Sequence, residues 1–332
     1  MPDNREIDGG DKHISVSGQL LSQELRRVCL KYAPRQHAEA IVEKISEAEK
    51  LGVATHGLHY FLGAVLPLLQ QGLVHDSHIT VSGNFIHADC QGGVGFYNVL
   101  KGLQAAGRVA AKTGVAVITF KMPGKVGALR TYCREFTSAG QFIVLLKNTA
   151  PMLGLPETGG SFLGTNPLAV GLAGTDFIFD GSLSSVSTNT VRIKNKLNET
   201  FSWHPGFDRA LRSTASPQAI LDEGGGLLPF SCGPSWYKSF FLAVVVEALS
   251  ALAGGRTGKR VKDARGRLYS KEGMAGMIVD KNAFPQYEHY LDEVQLLFNE
   301  ILACGLTLPG SDKMTTDEIS VIENDWEALG KL

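Results

Sequence analysis

Apolar positions recur at helical spacing through SGQLLSQELRRVCLKYA and again through RQHAEAIVEKISEAEKLG, the first opened by a serine-rich cap and the second closed by Gly52. Residues three and four apart share one helix face, so this periodicity predicts a helical pair at the N-terminal end. HYFLGAVLPLLQQGLV continues helically, with Pro67 as a kink or break and Gly72 as a stop. NVLKGLQAAGRVAAKTG is another amphipathic helix, and it runs directly into VAVITF at 115–120, a continuous apolar run that predicts a buried strand. Helix then strand recurs: GALRTYCREFTSAG precedes QFIVLLKN, and PLAVGLA and DFIFDGS follow as two short strands separated by Gly174 and Thr175. From about 90 to 190 the pattern is that of an α/β core.

Beyond that core, NTVRIKNKLNETFSWHPGFDRALRSTASPQAILDEGGG mixes turns with short helical pieces and predicts exposed loops. A buried helix is expected at 236–253, then the basic polar loop GGRTGKRVKDARGRL and a strand at GMAGMIVD. A long amphipathic helix at YEHYLDEVQLLFNEILAC, a strand and turn at GLTLPGSD and a capped terminal helix at TTDEISVIENDWEALG complete the reading. The chain thus divides into a flexible tail at 1–14, a helical region at 15–88, an α/β core at 89–310 and a terminal helix at 311–332 that packs back on the N-terminal helices.

Composition narrows the class. The 332 residues are 44% hydrophobic and 20% charged, ample for a packed core. Lys and Arg number 32 against 33 Asp and Glu, and a net charge of −1 provides no field to attract a nucleic acid. Cys29, Cys90, Cys133, Cys232 and Cys304 are far apart, odd in number and free of any C-x-x-C pair, which reads as reduced thiols in a cytoplasmic protein. The polar, acidic start lacks the pattern of a secretory signal. FFLAVVVEALSALAGG, from Phe240, carries Glu247 and falls short of the roughly 18 apolar residues that a membrane span needs.

Several segments carry candidate chemistry. The dinucleotide signature G-x-G-x-x-G is only approached by GGVGFYN, where Asn98 stands in place of the last glycine. AGGRTGKR departs from a phosphate-binding loop at Ala253 and Arg260 and reads as a solvated turn. In GVATHGLHYF, His56 lies between Thr55 and Gly57 at a helix end, where a ligand has room to approach a side chain suited to proton transfer near neutral pH. His56 and His59 without a neighbouring carboxylate or cysteine make a poor metal site, so no metal is expected. KMPGKVGALR follows a strand and opens a helix, placing Lys125 where anions bind. A structural loop histidine and a surface lysine are the plainer readings of the same residues. The Gly- and Pro-rich PMLGLPETGGSFLGTNPLAV is suited to run close to a ligand or to another backbone. FIFDGSLSS leaves a strand through Asp180 into a hydroxyl-rich loop, GPSWYKSFF sets Trp236, Tyr237 and Lys238 at a helix mouth, and LTLPGSD offers exposed amides.

In that order, these segments resemble the malate/L-lactate dehydrogenase-like family of NAD(P)-dependent oxidoreductases over about 15–320, most specifically at FLGTNPLAV with its preceding glycine pair. The resemblance implies a non-Rossmann α/β fold: a large, mainly antiparallel sheet flanked by helices, with a helical layer from the N- and C-terminal segments. It also implies a homodimer whose cleft takes NAD(P)H and a small-molecule substrate, with no nucleic-acid or membrane partner. Carried over residue by residue, Thr55, His56 and Lys125 become catalytic, and Tyr60, Asn148, Thr165 and Asn166 substrate-binding. The cofactor-binding set is Asp180, Gly181, Ser182, Ser184, Tyr237, Lys238, Gly310 and Ser311.

Three departures bear on the chemistry. The family's Asn-His-Phe-Gly is Gly124-Lys125-Val126-Gly127 here, its substrate-clamping arginine is Tyr60, and its late Gly-His falls near Ala275-Gly276. Losing a bidentate arginine removes roughly 1.5–3 kcal/mol unless Lys125 or Arg130 replaces it. The expected activity is reduction of a 2-oxo acid, a cyclic imino acid or a related carbonyl or imine, with His56 protonating the product. A non-redox lyase, cyclase or isomerase using Lys125, and a weakly active cofactor-binding homologue, remain open alternatives, as does the choice between NADH and NADPH.

Overall fold

The computed structural model describes residues 13–231, 233–262, 271–310 and 317–332. β1 (His13–Ser17) leads into α1 (Gly18–Cys29) and α2 (Arg35–Lys50), after which the short helices α3 (Leu58–Tyr60) and α4 (Leu66–Gln70) flank a π-helical turn. β2 (His78–Ser82), β3 (Phe85–Asp89), α5 (Phe96–Thr113), β4 (Val115–Lys121), α6 (Arg130–Ser138) and β5 (Gln141–Lys147) follow. Short strands β6 (Leu153–Leu155), β7 (Gly160–Leu163), β8 (Leu168–Gly171) and β9 (Ile178–Gly181) precede α7 (Thr188–Lys196). The remainder comprises β10 (Gly206–Phe207), β11 (Ser213–Thr214), α8 (Pro217–Leu221), β12 (Gly226–Leu227), α9 (Trp236–Ala251), β13 (Gly273–Asp280), α10 (Tyr287–Ala303), β14 (Glu318–Ile322) and α11 (Glu323–Gly330).

The main sheet has seven strands in the order β2-β3-β4-β13-β5-β8-β9. Every neighbouring pair is antiparallel except β3 with β4. GMAGMIVD is therefore the middle strand, inserted between two strands that lie far earlier in the chain. Successive side chains of a strand point to opposite faces. Leu145 accordingly joins Leu103, Ala106 and Phe136 of α5 and α6, whereas Leu146 joins Phe240, Ala243 and Val246 of α9. A smaller sheet, β11-β10-β12-β6-β7, lies under the loops that follow β5.

The N-terminal helices pack as their apolar spacing requires. The Ser17 hydroxyl caps α1 by accepting the Leu20 amide, and Leu21, Leu25 and Val28 meet Ile41, Val42 and Ile45 of α2. Fully burying each such side chain stabilises the fold by about 1.5–3 kcal/mol. Ile319, Val321 and Leu329 close the same core from the other end of the chain.

Four expectations are corrected. His13 and Ile14 form a strand rather than tail, pairing antiparallel with residues 321–322. EISVI, expected as helix, is β14, because Ile319 and Val321 alternate with outward Glu318 and Ser320, a period of two; α11 starts only at Glu323. Leu306–Pro309 forms no strand. The helix at 236–253 is buried on one side only: Phe240, Ala243 and Val246 are covered, while Phe241, Val245 and Leu252 are exposed.

Candidate active site

His56 ends a tight turn at Ala54–His56 that follows α2, held by the His56 amide on the Val53 carbonyl at 2.9 Å. The Thr55 hydroxyl lies 3.1 Å from His56 Nδ1, and the Thr55 carbonyl accepts a hydrogen bond from Asn189 Nδ2 of α7 at 2.9 Å. With Nδ1 engaged, Nε2 is the ring nitrogen left to face a substrate. Burial pushes the imidazole down to about 4, so His56 is neutral at pH 7. His59 turns the other way, with Nδ1 3.0 Å from Asp325 of α11.

Tyr60 joins the His56 turn to the Lys125 turn. Its ring centroid lies 5.3 Å from that of His56, and its hydroxyl accepts the Gly127 amide. Burial pushes its pKa well above the ordinary tyrosine value, so it presents a neutral hydroxyl. The strand β3, helix α5 and strand β4 form a parallel βαβ unit, and GGVGFYN occupies its first turn, the position of a dinucleotide fingerprint. That turn is nevertheless spent on protein: Gly93 O accepts the Lys125 amide and Gly95 N donates to Lys125 O, each at 2.8 Å, and Val94 N donates to Leu73 O at 3.0 Å. These glycines bring two backbones together and fix the turn that carries Lys125.

Sequence reasoning missed two charged groups beside this turn. Lys147, at the end of β5, forms a buried ion pair with Glu272, whose charge is felt at Tyr60 and whose carbonyl accepts the Met122 amide at 3.0 Å. Arg192 of α7 also acts on Tyr60, and its Nη1 donates to Asn189 Oδ1 at 2.8 Å, the same asparagine that holds the Thr55 carbonyl. The region around 189–196 was expected as exposed loop, yet it is a helix that delivers a guanidinium to the His56 turn. A lysine closing an otherwise apolar strand was the available signal for Lys147; nothing in the periodicity marked Arg192. His56, Tyr60, Lys125, Asp180 and Arg192 are all only partly exposed.

The stretch FLGTNPLAV wraps around a buried carboxylate. Glu247 Oε1 accepts Gly164 N and Asn166 Nδ2, both at 3.2 Å, while Oε2 accepts Asn148 Nδ2 at 2.8 Å and Gly258 N at 3.3 Å. Asn166 Oδ1 accepts Thr149 N and Asn148 Oδ1 accepts Gly273 N. Asn148 and Asn166, expected to bind substrate, are fully buried, and their amides hold this wall rather than face an opening. Gly164 must be glycine because a Cβ there would lie 2.4 Å from the Thr149 carbonyl oxygen. Thr165, nearly buried, accepts Leu183 N on its carbonyl at 2.7 Å, which ties this turn to the hydroxyl-rich loop.

The expected cofactor residues gather along β9. Asp180 Oδ2 accepts the Arg130 amide at 2.9 Å, at the first residue of α6, and burial raises the carboxyl to about 6. Gly181 ends the strand opposite Leu168, and Ser184 Oγ donates to the Val186 carbonyl at 2.7 Å and lies 3.2 Å from Ser182 Oγ. Pro309 O accepts Ile178 N, and Gly310 O accepts Arg134 Nη2 at 3.2 Å, placing that turn against the same strand. Ser311 and Cys232 lie outside the described residues. Tyr237 and Lys238 are exposed at the start of α9, whose leading segment is bound to the 182–184 loop through Phe230 N on Leu183 O.

A mainly antiparallel sheet in which the β3-α5-β4 turn is filled by protein is an α/β scaffold of non-Rossmann type. The chain belongs to the malate/L-lactate dehydrogenase family, whose model matches residues 18–320. It is 27% identical over 291 residues to a (2R)-3-sulfolactate dehydrogenase (NADP(+)) of Chromohalobacter salexigens, covering 84% of each chain. It is 26% identical over 250 residues to a Delta(1)-pyrroline-2-carboxylate/Delta(1)-piperideine-2-carboxylate reductase of Pseudomonas syringae pv. tomato, covering 73% of this chain and 71% of the relative. The fold is similar to that of a malate dehydrogenase from Entamoeba histolytica, with a TM-score of 0.88, 16% identity and coverage of 96% and 97%.

Proposed function

We propose that this protein is an NAD(P)-dependent oxidoreductase that interconverts a small carboxylate-bearing carbonyl or imine compound and its reduced form. The observation that carries the reading is the linkage of three segments: Tyr60 accepts the Gly127 amide and so ties the His56 segment to the Lys125 turn, and Asn189 bonds both Thr55 and Arg192 and so ties α7 to the same segment. When bound, the nicotinamide supplies or accepts the hydride. The donor set around β9 fits such a cofactor. Asp180 and the serines of 182–184 offer acceptors for sugar hydroxyls, the amides near Gly310 suit phosphate, and exposed Tyr237 and Lys238 suit a ring and an anion.

His56 Nε2 takes the proton of the substrate hydroxyl or amine during oxidation and returns it during reduction, while Thr55 holds Nδ1. Arg192, whose charge is felt at Tyr60, is assigned as the clamp for a carboxylate, and the neutral Tyr60 hydroxyl supplies a hydrogen bond to the substrate. Lys125, in the turn tied to Tyr60 through Gly127, is assigned as a second cation for the charge of the substrate. Related proteins act on sulfolactate and on cyclic imino acids, which makes these two the first compounds to assay. Loss of absorbance of NADH or NADPH on adding Δ1-piperideine-2-carboxylate, or its gain on adding (2R)-3-sulfolactate, tests the reading; no change in either cofactor across a wider panel of 2-oxo acids and imines sinks it.

The reading includes a homodimer working in the cytoplasm. Phe241, Val245, Leu249 and Leu252 form an exposed stripe at helical spacing along α9, a surface suited to a second copy. Cys29 and Cys90 are buried, and burial raises both thiols to about 12, which suits a reduced state.

A further inference from the structure

Against the His56 turn lies a buried carboxylate that the chemistry above does not use. Glu49, in the last turn of α2, is only 6% exposed, and its Oε1 accepts the amide of Leu58, the first residue of α3. Its carboxyl also lies flat against Gly57: a Cβ on that residue would be 2.0 Å from Oε1. Leu58 is itself buried, so without Glu49 its amide loses its partner away from water, a cost that falls on the backbone just after His56.

We propose that Glu49 is a positioning residue for His56: its carboxylate, seated beneath Gly57 and bonded to the Leu58 amide, fixes the turn that aims the imidazole. The inference rests on His56 being the proton-transfer group. A helix of three residues has little rigidity of its own, so beyond the turn's own backbone bonds its orientation on α2 depends on side-chain contacts, of which this is one and the Asn189 bond to the Thr55 carbonyl another.

The surroundings make the contact sensitive to pH. A cavity of about 20 Å³, room for one water, is lined by Glu49 together with His59 of α3, Asp325 of α11 and His13 of β1. Lys196 of α7 donates to Asp325 Oδ1 at 2.6 Å, and His59 bonds the other oxygen, so Asp325 is held as an anion beside Glu49. Burial, with the charge of Asp325 adding to it, raises Glu49 to about 7. An ionised carboxylate grips an amide more strongly than the protonated acid does, so the turn tightens as pH rises through neutrality.

The test compares wild type with Glu49→Gln, Glu49→Ala, His56→Ala and the double variant Glu49→Ala/His56→Ala. Turnover is read with NADPH and Δ1-piperideine-2-carboxylate, and cofactor affinity by fluorescence. A misplaced imidazole is expected to cost Glu49→Ala about 10–100-fold in kcat while the cofactor Kd stays within about twofold. In the His56→Ala background the same change is expected to cost nothing further, because Glu49 acts through the imidazole. Glu49→Gln keeps an acceptor for Leu58, so it retains most of the turnover but loses the inflection near neutral pH. Additive losses in the double variant overturn the inference alone, whereas full activity in His56→Ala overturns the parent reading and the inference with it. Independently of turnover or of the folding of Glu49→Ala, the His56 ring resonances of wild type are expected to show a titration step near pH 7 that Glu49→Gln abolishes. A step that persists in Glu49→Gln, or that wild type lacks, overturns the proposal.

Discussion

Glu247 offers a direct measure of what holds the FLGTNPLAV stretch in place. Replacing it with alanine removes the acceptor of four donors: Gly164 N, Gly258 N, Asn148 Nδ2 and Asn166 Nδ2. The two asparagine amides keep second partners, Arg256 O at 2.7 Å and Ala243 O at 3.0 Å. Both glycine amides lose the carboxylate: half-buried Gly258 can turn to water, whereas buried Gly164 is orphaned, at about 1–3 kcal/mol. The expected loss is therefore about 1–3 kcal/mol, a sizeable part of the roughly 5–15 kcal/mol that typically holds a domain folded. Glu247→Gln keeps the shape but turns one acceptor into a donor facing other donors, and is expected to lose about half as much. Urea unfolding followed by tryptophan fluorescence gives both values, with the exposed Glu293→Ala as a control expected to stay within about 0.5 kcal/mol. A loss below about 1 kcal/mol for Glu247→Ala would refute the claim that this carboxylate organises the turn.

His56 is expected to make the fold labile to acid. Its folded-state value of about 4 lies below the ordinary 6.5, so the unfolded chain takes up the proton first, and stability present above pH 6.5 is lost as pH falls towards 4. The shift corresponds to about 2–3 kcal/mol after allowing for the partial exposure of the ring, and His56→Gln is expected to flatten that part of the pH–stability curve; an unchanged curve would mean that the imidazole is not desolvated. Phe241→Glu places a charge in the middle of the α9 stripe and is expected to halve the mass seen by light scattering, with the secondary structure unchanged by circular dichroism. A wild-type protein that is already monomeric would dispose of the dimer.

Much of the architecture was legible because it rests on period. The helices of 18–50, the strand VAVITF, the strand QFIVLLKN and the middle strand GMAGMIVD all lie where alternating or continuous apolar runs placed them. EISVI was misread because the capping pattern of TTDE outweighed a five-residue alternation, and a short strand has too few residues to outvote a cap signal. The exposed side of α9 was invisible for another reason: a helix apolar all round reads as buried whether its own chain or a second copy covers it. At the site, local chemistry was readable and long-range delivery was not. His56 announced itself through its Thr and Gly neighbours, whereas Arg192 reaches the same turn through Asn189, across more than 130 residues of sequence. The glycines and asparagines of 148–166 signalled a close approach correctly, but the partner is the protein's own backbone and Glu247.

The placement of β13 has a consequence for biosynthesis. Its eight residues pair with β4 on one side and β5 on the other, yet they are translated about 130 residues after β5. Until they emerge, those two strands present bare hydrogen-bonding edges lined by valine and isoleucine, the kind of template on which nascent chains stick to one another. Closure of the sheet is thus a late, non-local event. The vulnerable interval in the life of this protein is the time the ribosome takes to travel from residue 147 to residue 280.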